Sequence, residues 1–177
     1  MNPLRLLLFA VHPKALIATI VLLTAPGLAA AEVITGRVVR VPDGDTVTLL
    51  VDRRQVRVRV GDIDAPEVTG QPYGQASRRS LSEMVAGVDV SVDVKDRDAY
   101  GRVVGPLYRN GVNIGREQVR RGYAWAAGRY NRDPLTYPLQ LQARYARRGL
   151  WADPDPVPPW EWRATRREER GRNHGGE

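Results

Sequence analysis

The sequence predicts an α+β protein, mainly β, shaped as a small barrel of five strands with about three helices. Two observations carry this expectation. Valines alternate with polar residues in residues 55–60 and again in residues 88–94, as strands with one buried face require. The element patterns also run as three strands, a helix, two strands and then helices, an order that fits a five-stranded Greek-key barrel.

The first 31 residues read as a leader, apart from the fold. Arg5 and Lys14 are the only charges before Glu32, Ala15 to Leu23 is apolar, and Ala29-Ala30-Ala31 puts small residues before a cut after Ala31. Basic start, short apolar core and small-residue exit make a signal peptide. The apolar run is shorter than the ~20 residues that span a bilayer. Leu4 to Val11 is a second apolar patch, so the competing reading is an uncleaved anchor. Cleavage leaves 146 of the 177 residues, one domain of ordinary size. The expectation is an exported protein, periplasmic or extracellular, monomeric and without stable membrane association once cut.

Val33 to Val41 is β-branched and reads as the first strand. Pro42-Asp43-Gly44-Asp45 breaks it as a turn. Thr46 to Val51 resumes a strand, Asp52-Arg53-Arg54 turns, and Gln55 to Val60 sets Val56, Val58 and Val60 opposite Arg57 and Arg59. A loop of Asp, Pro and Gly follows from Gly61 to Gly74. Gln75 to Ala86 reads as a helix with Ala76, Leu81, Met84 and Val85 as its apolar stripe. Val88 to Val94 is the fourth strand and Val103 to Tyr108 the fifth, with Asn110-Gly111 turning after it. Glu117 to Arg121 suggests a short helix stopped by Gly122. Leu135, Leu139, Gln142, Ala146 and Leu150 follow helical spacing, with Gly149 as the stop. The main domain is therefore set at residues 32–152. A Pro- and Trp-rich extension, residues 153–162, is expected to lie extended on it. Residues 163–177 are charged and end in glycine, so they are expected to be disordered. The whole is the OB-fold pattern, which often binds oligonucleotides or oligosaccharides.

The missing residue types narrow the chemistry. The chain has no cysteine, and its two histidines are His12, in the leader, and His174, in the tail. Imidazole or thiol catalysis and His- or Cys-ligated zinc are excluded from the domain. No Gly-rich Lys-Ser/Thr loop for nucleotide phosphates is present. Carboxylates, arginines, tyrosines and a hard metal ion remain. Loss of the leader takes two positive charges and no acid, so net charge falls from +7 to +5. Nearly all positive charge is arginine, since Lys14 and Lys95 are the only lysines. Arginine forks onto phosphate oxygens in pairs, although codon bias would account for it as well.

Three segments carry the chemical signal: Asp43-Gly44-Asp45-Thr46, then Arg59 with Asp64-Ala65-Pro66-Glu67, then Tyr100-Gly101-Arg102. Each alone is an ordinary turn or loop. Asp96 to Gly101 also begins like a calcium loop of the EF-hand type, but Leu107 stands where the closing glutamate belongs. In this order and spacing, the three resemble the thermonuclease (staphylococcal nuclease-like) family. The likeness continues through Arg121-Gly122-Tyr123-Ala124-Trp125, Tyr130 and Gly149-Leu150-Trp151, and so covers Val33 to Trp151. It implies an OB-fold enzyme that hydrolyses DNA and RNA with calcium (Ca2+).

Residue by residue, the resemblance implies that Asp45 and Asp64 are metal carboxylates. Ala65 would offer its backbone carbonyl, and Asp43 would stand behind the metal. Glu67 would serve as general base, Arg59 and Arg102 would hold the reacting phosphate, and Tyr100 and Tyr130 would line the nucleotide site. Gly128 replaces a tyrosine found in some members, which implies weaker stacking. The loop from Glu67 to Tyr73 is shorter than in some members, and the segment from Asn113 to Gly122 is spaced differently. Two other readings remain at this level: a non-catalytic nucleic-acid-binding barrel, and an exported module binding acidic polysaccharide or a protein. Neither requires Asp45, Asp64, Glu67, Arg59 and Arg102 together. The Trp160-Glu161-Trp162-Arg163 segment would stack on bases or pack the extension onto the barrel.

Overall fold

Strand formation follows the valine pattern, and the β-branched runs supply the inner wall of the barrel. A computed structural model describes residues 32–174, so the leader lies outside the described residues. The strands are β1 (Val33–Arg40), β2 (Thr46–Val51), β3 (Arg54–Val60) and β4 (Ile63–Asp64), followed by helix α1 (Gly74–Val85). Then come β5 (Asp89–Asp93), β6 (Asp96–Arg97), β7 (Val103–Gly105), β8 (Leu107–Arg109) and β9 (Val112–Asn113). Helix α2 (Ile114–Arg120), β10 (Trp125–Ala126), α3 (Thr136–Tyr145) and α4 (Pro159–His174) complete the chain. The fold is α+β and mainly β, as expected. Among the described residues no helix is long and apolar enough to cross a membrane.

The main sheet runs β6-β7-β3-β2-β1-β5-β8-β9, and β4 pairs separately with β10. The expected fifth strand is present as two halves, β7 and β8, separated by Pro106. β7 pairs parallel to β3, with Val58 opposite Val103. β8 pairs antiparallel to β5, with Val92 opposite Leu107. Proline lacks the N–H that a continuous ladder needs, so the chain changes partners there and the five long runs close into a ring. Between β2 and β3, Asp52 and Arg53 both take positive φ (47° and 67°), the hairpin geometry whose twist suits the strands it joins. Val47, Leu49, Val58, Val60, Val92, Val103 and Leu107 fill the interior with Leu81 and Val85 of α1 and Ile114 and Val119 of α2. A second cluster joins Trp125, Ala143, Leu150 and Trp151.

Three readings of the sequence need correction. The α1 stripe buries Ser77 and Ser80 beside Leu81, Met84 and Val85, whereas Ala76 is only half-buried. Both hydroxyls find internal acceptors, Ser77 on the Tyr123 carbonyl (2.6 Å) and Ser80 on Gln118 (2.8 Å). The α3 stripe is rotated: Thr136 and Ala143 are buried, Leu135 is exposed, and Leu150 is buried from a separate 3-10 turn, Gly149–Ala152. Small residues let α3 lie close to its neighbours, so burial there does not follow side-chain size.

The third correction concerns the C-terminus. Residues 159–174 form a helix, where an extended segment and a disordered tail were expected. Pro159 occupies the first helical position, where its missing N–H costs nothing and its fixed φ suits the helix. Glu161 stands in the first turn, favourable to the helix dipole. Trp160 packs edge-on against Trp125 at 5.6 Å between ring centroids. Residues 153–155 bend and residues 156–158 lead into the helix without regular structure, with the Gln71 side chain donating to the Val157 carbonyl (2.9 Å).

Candidate active site

Three loops converge at one end of the barrel. In the first, Asp43 accepts the N–H of Asp45 through its side chain (3.0 Å), closing a tight turn. Gly44 is buried at the apex, where a Cβ would collide with the Ser77 hydroxyl and the Ala65 side chain. Only glycine admits that approach. The same apex is tied from behind by the fully buried Gln118, whose amide donates to the carbonyls of Gly44 (3.1 Å) and Ser77 (2.8 Å). The Asp45 carbonyl accepts from Val60 (2.8 Å), which fixes the turn against the end of β3.

The second loop leaves β3. Asp62, at φ 65°, reverses the chain into β4, and pairing of Asp64 with Trp125 holds that short strand. Asp64 is thereby brought beside Asp45. The Ala65 N–H donates to Asp45 Oδ2 (2.8 Å). Arg59 bridges both acids, with Nη1 at 3.2 Å from Asp45 Oδ2 and Nη2 at 3.3 Å from Asp64 Oδ1. Its Nη1 also donates to the carbonyls of Val60 (3.0 Å) and Ile63 (2.9 Å). Glu67 follows on the same loop, its N–H held by the Gln71 side chain (2.8 Å).

The third loop presents Arg102. Asp98 accepts Arg102 Nε (2.7 Å) and the backbone N–H groups of Tyr100 and Arg102 (both 3.0 Å). Desolvation pushes Asp98 up, but the bonds from Arg102 and the two backbone N–H groups outweigh it, and its pKa is lowered. The carboxylate stays ionised and aims the guanidinium. Arg59, Asp64, Arg102, Tyr130, Trp160 and Gly128 line one cleft of about 750 Å³. Tyr100 lies outside that lining and is largely exposed, with the Arg102 guanidinium 5.7 Å from its ring centroid. The structure thus gathers Asp43, Asp45, Arg59, Asp64 and Ala65 by direct bonds, and joins Glu67 to Asp64 only through the Arg163 side chain. It adds Arg102 and Tyr130 around the cleft, and sets Tyr100 against Arg102 beyond its wall.

One participant was missed. Arg163 of α4 reaches across to both acids of the second loop. Its Nη2 lies 2.6 Å from Asp64 Oδ2, and its Nη1 lies 3.2 Å from Asp64 Oδ1 and 2.8 Å from Glu67 Oε1. A helix signal was present in the sequence: Pro159 at a helix start, Glu161 in the first turn, and Arg163, Arg166, Arg167 and Arg170 at one-face spacing. The run of prolines before it pointed the other way.

The electrostatics favour a cation. Burial, opposed by Arg59 and reinforced by Asp43, pushes the Asp45 carboxyl from an ordinary 3.8 up to about 6. Burial also raises Asp64, against the Arg163 bond and with the added charge of Asp45. Both carboxylates therefore ionise at the cost of lost hydration, and a hard cation would favour their charged forms. Among the described residues no three His, Cys, Asp or Glu side chains converge as a metal cage. The site offers two carboxylates, and a hard ion held there would need its other ligands from backbone and water oxygens.

Comparison with known proteins agrees with this geometry. Residues 57–153 match the family model described as staphylococcal nuclease homologue. An endonuclease of Escherichia coli is 49% identical over 131 residues, covering 73% of this chain and 85% of the relative. A micrococcal nuclease of Shigella flexneri is 42% identical over 139 residues, covering 72% and 79%. An endonuclease of Haemophilus influenzae is 37% identical over 155 residues, covering 86% of each. The barrel with its carboxylate–arginine cleft is a nuclease, a hydrolase acting on nucleic acid. The chain belongs to the staphylococcal nuclease homologue family.

Proposed function

We propose that the chain is an exported, calcium-dependent nuclease that hydrolyses phosphodiester bonds of both DNA and RNA. The observation that carries this is the pair of buried carboxylates, Asp45 and Asp64, bridged by Arg59 at the inner end of an arginine-lined cleft. Asp45, Asp64 and the Ala65 carbonyl would hold the ion, with Asp43 positioning Asp45. Bound calcium would polarise a phosphate oxygen and offset the charge that develops on it.

The chain's own groups do the rest. Arg59 and Arg102 donate to the phosphate oxygens as negative charge grows, and stabilising that charge usually lowers the barrier more than any other effect. Glu67 accepts the proton of the attacking water. Tyr130 borders the bound nucleotide from the cleft rim. Arg163 and a cation draw on the same Asp64 carboxylate, so entry of one weakens the hold of the other. The leader sequence, residues 1–31, supports export to periplasm or medium.

The test is incubation of the protein with DNA and with RNA, in calcium and in excess chelator, beside Glu67→Gln and Arg102→Ala. Cleavage of both nucleic acids that needs calcium and is lost or sharply reduced in each variant supports the reading. Cleavage that persists in chelator, or in Glu67→Gln at the wild-type rate, removes the metal or the base from the mechanism.

A further inference from the structure

Helix α4 carries a row of arginines of which the catalytic cleft uses only Arg163. Arg163, Arg166, Arg167 and Arg170 recur at the spacing of one helix face, within about 100° of arc. Glu161 and Glu168 fall on the opposite side. Four of the five arginines of α4 share this face, and Arg172 lies opposite, with the glutamates. The row also borders a concave surface. Arg163, Arg166, Arg167 and Arg170 line a groove of about 330 Å³ with Trp162, Thr69 and Glu67.

Arg163 lines both this groove and the cleft, so the two adjoin at its guanidinium, beside Asp64 and Glu67. Trp162 adds an aromatic face, with the Arg166 guanidinium 6.0 Å from its ring centroid. From Arg163 to Arg170 the helix advances about 10 Å, room for about three steps of a nucleic-acid strand at ~3.4 Å each. The family match ends at residue 153, so this helix is an addition to the matched domain.

We propose that the arginine face of α4 is a phosphate-binding arm that grips the nucleic-acid strand beyond the scissile bond. The strand leaves the cleft past Arg163 and runs along Arg166, Arg167 and Arg170, with Trp162 available for a base to stack on. The enzyme therefore discriminates by length: polymers engage the arm and dinucleotides do not. The inference rests on the nuclease reading above, and it names what that site takes.

The test uses the full chain carrying Arg166→Ala, Arg167→Ala and Arg170→Ala together. These positions are exposed on the helix, and alanine preserves helical propensity. Circular dichroism confirms the fold. Binding is measured in the Glu67→Gln background with a single strand of about twelve nucleotides, the scale that a barrel of this kind covers, across a salt series. Loss of three phosphate contacts lowers the slope of log affinity on log salt by about 2 and weakens binding at least tenfold at moderate salt.

Hydrolysis of a dinucleotide by the triple variant, with Glu67 intact, stays at the wild-type rate while turnover of the long strand falls. An unchanged salt slope and unchanged turnover of the long strand overturn the arm. Equal losses on dinucleotide and polymer overturn it too, because the row would then act through the site itself. If only binding to anionic phosphatidylglycerol vesicles is lost, the row faces a membrane and the proposal fails. A parent that binds the strand through the row but cleaves nothing in calcium leaves the arm standing and removes the nuclease reading.

Discussion

Replacing Asp45 with Asn is expected to stabilise the protein in chelator while abolishing its response to calcium. Asp45 is only 7% exposed, and burial holds its carboxyl near pKa 6 against an ordinary 3.8. A displacement of that size equals about 3 kcal/mol between the ionised and protonated forms. The ionised carboxylate is thus disfavoured in the folded protein relative to the unfolded chain. That penalty is full above pH 6, shrinks as pH falls from 6 toward 3.8, and vanishes below 3.8. Asparagine resembles the protonated acid and carries no such penalty. It also leaves Arg59 Nη1, now 3.2 Å from Asp45 Oδ2, without a charged partner, so the net gain should be about 1–3 kcal/mol.

Urea unfolding of both proteins in chelator checks this. Asp45→Asn should be the more stable near pH 8, with the gap closing near pH 4. Calcium at a hundred times its dissociation constant should add about 2.7 kcal/mol to the wild type and almost nothing to the variant. An Asp45→Asn protein less stable than wild type near pH 8 in chelator would refute the electrostatic argument. Equal calcium stabilisation of both would refute the assignment of Asp45 as a ligand.

Three further outcomes are expected. Arg163→Ala frees Asp64 and Glu67 from a competing cation, so the calcium concentration for half-saturation should fall several-fold, the side chain being partly solvent-screened; tryptophan fluorescence during a calcium titration reads this. Gln118→Leu orphans the Gly44 carbonyl and the Ser80 hydroxyl, and should cost about 1–3 kcal/mol in urea unfolding together with weaker calcium binding, because the Asp43-Gly44-Asp45 turn loosens. Arg102→Ala should lower kcat by ~10²–10³, and Asp98→Asn by less, since Asp98 only aims the guanidinium; steady-state kinetics on one defined oligonucleotide separates the two.

The valine periodicity of β1, β2, β3 and β5 and the turns at Asp43-Gly44-Asp45 and Asp52-Arg53 were determined locally, so both element type and order were legible in the sequence. The identities of Asp45, Asp64, Glu67, Arg59 and Arg102 were legible only through the family resemblance of their three segments taken together, since each segment alone reads as an ordinary turn or loop. Tertiary structure alone decided which of them meet. Arg59 bridges Asp45 and Asp64 because the end of β3, the Asp45 turn and the β4–β10 pair are packed together, and no local pattern encodes that convergence. The break of the fifth strand at Pro106 is likewise a partner switch between β3 and β5. Tertiary packing also decided the role of α4. Its composition reads as a solvated charged tail, and Trp160 docked on Trp125 carries Arg163 into the acids of the cleft. Edge contact of the partly exposed Trp160 ring with a distant strand, together with the Arg163 ion pairs, outweighs local polarity, and that is a property of the assembled surface.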